Sequence, residues 1–330
     1  DNESNTDNES NTDNESNTDN ESNTDNESNT NKLSKPSEII KKFDVSVQMC
    51  CDKLLFSKSK IIFYTCIYKI QSKFDFAKYE EWGNNLVKFL TNYKLVVFTN
   101  KETYNLVKKF KNSNIEFIIK ELEDFELYEY KKILKKNTKN KYFPNLNISY
   151  LLILIWLNRH LFLKEIAEKY KSDYYCHIDW GYIREENCKN IVIETEKLEE
   201  NKIHFGLIKN KRNYIKNLYN QIKDWDKEKV EKTLSENLYS IGGGCMIINK
   251  KLISDWISMY RKTLFKFIQK KIDFKDDQTI IRTLIFDKHN YQNFNLITYK
   301  QENWFPFKDF LISENEEERL EFDFKSLFQC

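Results

Sequence analysis

The sequence predicts an α/β protein whose mainly parallel sheet is flanked by helices. Three observations carry this. First, three short runs rich in β-branched and aromatic residues, KIIFYTCIY (60–68), KLVVFTN (94–100) and IEFIIK (115–120), read as strands. Second, each run is almost continuously apolar rather than alternating, the mark of a strand covered on both faces. Third, the runs are separated by stretches of helical periodicity, giving strand, helix, strand, helix, strand at short intervals.

Taken in order, the chain opens with five copies of Asp-Asn-Glu-Ser-Asn-Thr, residues 1–30, which contain no apolar side chain. Such a block has nothing to bury, so residues 1–35 are expected to be a solvated, disordered tail and 36–330 one folded domain. A lead-in helix is expected over 36–58. The first strand is followed by a helix over 76–89, with Trp82, Leu86 and Phe89 at helical spacing, and the second by a helix over 101–111. Helices are then expected over 128–136 and 148–170, before a strand over 174–178 that runs into Asp179. Beyond it come a basic amphipathic stretch at 214–225, a glycine loop and a strand over 246–248. A helix over 252–268 gathers Ile253, Trp256, Ile257, Tyr260, Leu264 and Phe267 on one face. A short helix near Asp277, a strand over 295–299 and an acidic C-terminal segment close the chain.

Composition narrows the function classes. The repeat block holds 10 of the 51 acids, so the remaining 300 residues carry 53 Lys and Arg against 41 acids, a net of +12. A mildly basic body suits an anionic small molecule, an anionic membrane surface or nucleic acid. The lysines are spread along the chain and no nucleic-acid module appears, so no nucleic acid is expected. Seven cysteines, an odd number without a Cys-x-x-Cys pair, argue for a reducing compartment and against a zinc ribbon. No signal-peptide pattern is visible. The longest apolar run, 148–157, is half the roughly 20 residues of a membrane span. The expected location is cytoplasmic, extending to peripheral contact with the inner face of the membrane.

In open α/β sheets, ligands bind beyond the carboxyl ends of the strands. Candidates there are Thr65 and Tyr68 after the first strand, and Asp179 with Gly181 and Arg184 after the fourth. An acid at the end of an apolar strand is costly unless compensated. Asp179 suits a divalent cation bridging to a diphosphate, since Mg²⁺ uses only one or two protein carboxylates with phosphate oxygens; equally, it suits a capped turn. Arg184 suits a phosphate, or a pair with Glu185 or Glu186. Gly242, Gly243 and Gly244 are half of the six glycines, which implies positive φ or close approach of a ligand. Neither a Walker nor a dinucleotide loop is present. Asp276 and Asp277 precede a helix, where one would serve as an N-cap; in a functional reading an Asp here is a general base or grips sugar hydroxyls, with Gln278 beside it. His289 is a minor candidate for a metal ligand. Gly-x-Ser-x-Gly and Cys-His signatures are absent, so nucleophilic hydrolysis is not supported.

Three stretches taken together resemble the HtrL/YibB family of bacterial glycosyltransferase-like proteins with a GT-A-like fold. They are YLLILIWLNRHLFLKEIAEKY, YYCHIDWGYIRE, and the segment from YSIGGGCMIINKK to DFKDDQTII. The resemblance runs loosely over 61–299. It implies a nucleotide-sugar donor, a glycan or lipid-linked acceptor, a role in polysaccharide biosynthesis, and Mn²⁺ or Mg²⁺. It places the donor-side metal or sugar contact at Asp179, and an acceptor or sugar contact at Asp277 and Gln278. Two departures stand out. Gly181 occupies the place of the second acid of an Asp-x-Asp pair, and Asn158-Arg159-His160 replaces an expected acid before a Lys, so no role is implied there. The expected function is sugar transfer, with Asp277 as acceptor base. The alternatives are an inactive transferase-fold scaffold, motivated by the missing acid, and a nucleotidyltransferase, disfavoured by the glycine-free segment 65–71.

Overall fold

The structure is a computed structural model, described here for residues 60–71, 74–139, 149–186, 191, 193–235, 240–287, 289–312 and 316–324. The expected tail and the helix expected over 36–58 lie outside these residues.

The predicted fold class is what the chain adopts. Strands β1 (Ile61–Cys66), β2 (Lys94–Thr99), β3 (Ile115–Ile119), β4 (Tyr174–Ile178), β5 (Ile203–Leu207), β6 (Ile241–Asn249), β7 (Phe294–Tyr299) and β8 (Arg319–Leu320) form one sheet, in the order β3-β2-β1-β4-β6-β5-β7-β8. β1 pairs in parallel with β2 and β4, β2 with β3, and β5 with β7. β6 is antiparallel to both β4 and β5, and β8 to β7, so only β6 and β8 oppose the rest.

Both faces of the sheet are covered, as the apolar strands demand. On one face Ile62, Tyr64, Val96, Phe98, Tyr175, Met246 and Ile248 pack against α4 (Tyr150–Arg159), α5 (Phe162–Lys169), α8 (Ile253–Gln269) and α9 (Asp277–Ile285). On the other, Phe63, Leu95, Val97, Cys176 and Ile247 meet α1 (Phe76–Phe89), α2 (Lys101–Val107) and α10 (Pro306–Leu311). Helices α3 (Lys131–Asn137), α6 (Arg212–Ile222) and α7 (Lys227–Ser235) complete the set among the described residues. None of these helices is long and apolar enough to cross a membrane.

Three details differ from the sequence reading. The helix expected over 148–170 is two helices, α4 and α5, broken at His160 and Leu161. The break leaves Arg159 and His160 buried at the end of α4. β5, which the sequence reading passed over, is a strand whose central His204 and Gly206 hide its apolar run. The expected glycine loop is the first half of β6.

Candidate functional site

β6 is where the sheet makes room for polar chemistry. Its register with β5 jumps from Phe205–Met246 to Gly206–Gly242, so Gly243, Gly244 and Cys245 have no partner on β5. They remain against β4, where the Asp179 N–H donates to the Gly244 carbonyl at 2.7 Å. The Gly243 carbonyl is turned instead to the Arg159 guanidinium and accepts from Nη2 at 2.8 Å.

Arg159 ties the site together. It is the last residue of α4 and its side chain is only 4% exposed. Its Nε and Nη2 donate to Asp277 Oδ2 at 2.9 and 2.6 Å, and its Nη1 donates to Asp179 Oδ1. His160 Nε2 makes a third contact to Asp277 Oδ2, at 2.8 Å. With Nδ1 unpartnered, the bond to the carboxylate assigns the proton to Nε2. Burial and the neighbouring guanidinium hold His160 well below the usual imidazole range, so the ring is neutral. The two carboxylates hold Arg159 firmly protonated against its burial.

The two acids have opposite settings. Asp277, the first residue of α9, is 2% exposed and its Oδ2 is saturated. Burial raises its carboxyl above the usual range, and the Arg159 charge opposes that rise. Asp179 is 39% exposed, and Oδ2 has no hydrogen-bond partner among the described residues. Its carboxyl is also raised, first by the protein crowded around it, against the pull of Arg159. Solvent reaches it while protein crowds around it. Behind it lies His177, buried on the same side of β4, with Nε2 at 3.7 Å from Asp179 Oδ1 and both ring nitrogens unpartnered. Counted as ions, two carboxylates and one guanidinium leave this cluster at −1.

The glycines are explained by close approach and not by backbone hand, since no described glycine has positive φ. A methyl on Gly243 would sit 2.9 Å from Arg159 Nη2 and 3.1 Å from Asp277 Oδ2; one on Gly244 would sit 3.0 Å from Asp179 Oδ2. Gly242 has room for a methyl, its nearest neighbour being 3.7 Å away. Gly181 gives way to Trp82 of α1, which a methyl there would meet at 2.8 Å.

The remaining expected residues divide. Gln278 lies half-buried with its Cγ against Gly243, beside Asp277. Asp276 is the N-cap of α9, its Oδ1 accepting from Thr279 N at 2.9 Å, so its role is local. Tyr68 is a core residue whose hydroxyl donates to the Lys120 carbonyl at 3.1 Å, away from a ligand role. Thr65 is buried at the end of β1 with an unpartnered hydroxyl, on the opposite face of the sheet from Asp179. The expected acceptor base, Asp277, is only 2% exposed, and its Oδ2 accepts from Arg159 Nε and Nη2 and contacts His160 Nε2. Arg159 and His160 were missed by sequence reasoning. The available signal was an Arg-His pair directly after an otherwise apolar run.

For the divalent cation implied by the resemblance, Asp179 is the residue that could serve as a ligand. The unpartnered, solvent-facing Oδ2 of Asp179 and the surplus negative charge fit the mode in which Mg²⁺ takes one protein carboxylate and draws its other ligands from water and phosphate. Among the described residues no group of three His, Cys, Asp or Glu is placed to hold a metal unaided. His289 is exposed, its backbone N–H donating to Asp287 Oδ1 at 2.9 Å.

No protein-family model and no curated protein matches the sequence. Among solved structures, the chain is similar to the crystal structure of mouse xyloside xylosyltransferase 1 in its apo form. The likeness has 8% identity and a TM-score of 0.41, over 70% of this chain and 83% of that one. So distant a likeness carries no argument about chemistry, which rests on the site itself.

Proposed function

We propose that the protein is a glycosyltransferase that moves a sugar from a nucleotide-sugar donor to a glycan or lipid-linked acceptor. The observation that carries this reading is convergence. The stretches that resemble HtrL/YibB proteins are far apart in sequence, yet Arg159, Asp179, Gly243 and Asp277 from them meet through one guanidinium. They meet beyond the carboxyl end of β4, where open α/β sheets bind ligands.

In this reading Asp179 is the donor-facing group. Its free carboxylate oxygen accepts from sugar hydroxyls or holds the divalent ion, which when bound would offset charge on the departing diphosphate. Arg159 fixes the Asp179 carboxylate in one orientation through a charge-assisted bond. Asp277 and His160 hold Arg159 in turn, and Gly243 and Gly244 let the groups approach. The Gln278 amide stands next to this cluster as a second polar contact for the sugar. Preorganisation of this kind spares the site from reorienting dipoles as charge develops.

The test is a thermal-shift screen of nucleoside diphosphates and nucleotide-sugars, with and without Mn²⁺, on the wild type and Asp179→Ala. The expected result is stabilisation of the wild type by one nucleotide class and loss of that shift in the variant. Folded wild type that responds to no nucleotide would remove the reading and favour the inactive scaffold.

A further inference from the structure

Arg184 lies five residues beyond Asp179, in the turn that follows β4. It is exposed, yet its guanidinium is held. The Arg184 carbon Cζ sits 4.5 Å from the ring centre of Trp82, 4.9 Å from Phe305 and 5.8 Å from Phe74. Its Nε donates to the Gly181 carbonyl at 3.3 Å. The acids beside it in sequence do not neutralise it. Glu185 pairs instead with Lys308, at 2.7 Å, and Arg184 has no carboxylate partner among the described residues. The aromatic clamp is itself anchored to the site. Trp82 presses on Gly181, and Phe305 packs edge-on against Tyr182 with ring centres 5.1 Å apart. Tyr182 in turn lies against Gly244, beside the Asp179 carboxylate. Burial raises the Asp179 carboxyl, and the charge of Arg184 is one of the weaker influences that oppose the rise.

We infer that Arg184 is a preorganised anion clasp that binds the diphosphate of the ligand held at Asp179. The inference rests on the transferase reading for the source of the diphosphate, and on the geometry for the site. A guanidinium held among three aromatic rings is restrained before a ligand arrives, and its planar set of N–H donors suits phosphate oxygens. Stacking also lowers the entropy lost on binding, because the side chain is ordered beforehand. The charge balance agrees. Arg159, Asp179 and Asp277 sum to −1, which repels an anion, and Arg184 brings the group to neutrality with its positive end toward solvent.

The experiment is calorimetric titration of inorganic pyrophosphate, with magnesium chloride present, into the wild type, Arg184→Gln, Arg184→Lys and Lys308→Gln. The inference expects Arg184→Gln to weaken pyrophosphate by about 10- to 100-fold, as for loss of a charge-assisted pair. Arg184→Lys should recover only part, since an ammonium keeps the charge but not the stacked fork. Lys308→Gln removes an equal charge from the same rim and should stay within about 2-fold of wild type, as for a surface pair. Pyrophosphate binding that ignores Arg184→Gln, or that falls as far in Lys308→Gln, overturns the clasp. So does a wild type that does not bind pyrophosphate. Arg184-dependent pyrophosphate binding in a protein that binds no nucleotide-sugar would remove the transferase reading and leave the clasp standing.

Discussion

The two halves of the sheet are built on different terms. β1 and β2 are buried almost throughout by aliphatic and aromatic side chains, and their buried polar groups are hydroxyls, those of Tyr64, Thr65 and Thr99. Around β4, β6 and β5 the interior holds Arg159, His160, His177, His204 and Asp277. Burying ions and imidazoles costs several kcal/mol per group before compensation. A fold that needed only stability would fill the second half as it filled the first. The contrast teaches that the β4–β6 seam is where this protein spends stability on something else, and the half-open Asp179 at its end shows where that something is presented.

Arg159→Ala should be the most damaging change, because it strands a sealed carboxylate. We expect a loss of about 3–5 kcal/mol, read as a fall in the urea midpoint. Leu95→Ala, a cavity in the apolar half, should cost about 3 kcal/mol by the same measurement. If Arg159→Ala proved milder than Leu95→Ala, the seam would not depend on its charge network. Gly243→Ala should cost about 2 kcal/mol through overpacking against Arg159, while Gly242→Ala, with room for its methyl, should lie within about 0.5 kcal/mol of wild type.

A further effect is a pH dependence set by His204. Burial pushes the His204 imidazole down to about 4. Below the ordinary imidazole value of about 6.5, the unfolded chain takes a proton that the folded chain refuses. Its contribution is therefore intact above that value and is lost as the pH falls from there toward 4. At pH 5.5 the loss from this one residue is about 1 kcal/mol. Denaturation midpoints of wild type and His204→Gln between pH 7.5 and 5.5 should converge by that amount; parallel curves would contradict it.

Much of this fold was legible because its first half follows simple rules. Continuous apolar runs such as IIFYTC and LVVFT can only be buried strands, and Trp82, Leu86 and Phe89 mark the covering face of α1. Asp179 was legible as an acid in a costly place, and α9 as a helix opened by Asp276 and Asp277. The seam was harder to read. The glycines of β6 pointed to a loop, when their task is to let Arg159 and two acids come close within a strand. Arg159 fell inside the helix expected over 148–170, with no role implied for it. Its role depends on residues 20 and 118 positions away, and only the folded chain brings those together. Asp277 was read as a base, and its burial against Arg159 and His160 is something a single sequence does not display.

The most direct test of the central claim is the pair Asp179→Asn and Asp277→Asn, each measured for melting temperature and for calorimetric binding of the nucleoside diphosphate that stabilises the wild type. If the seam is a ligand site with one presenting acid and one supporting acid, Asp179→Asn keeps a melting temperature within about 3 °C of wild type and loses binding, while Asp277→Asn loses stability first. The account is contradicted if Asp179→Asn binds the nucleotide as the wild type does, or unfolds as readily as Asp277→Asn.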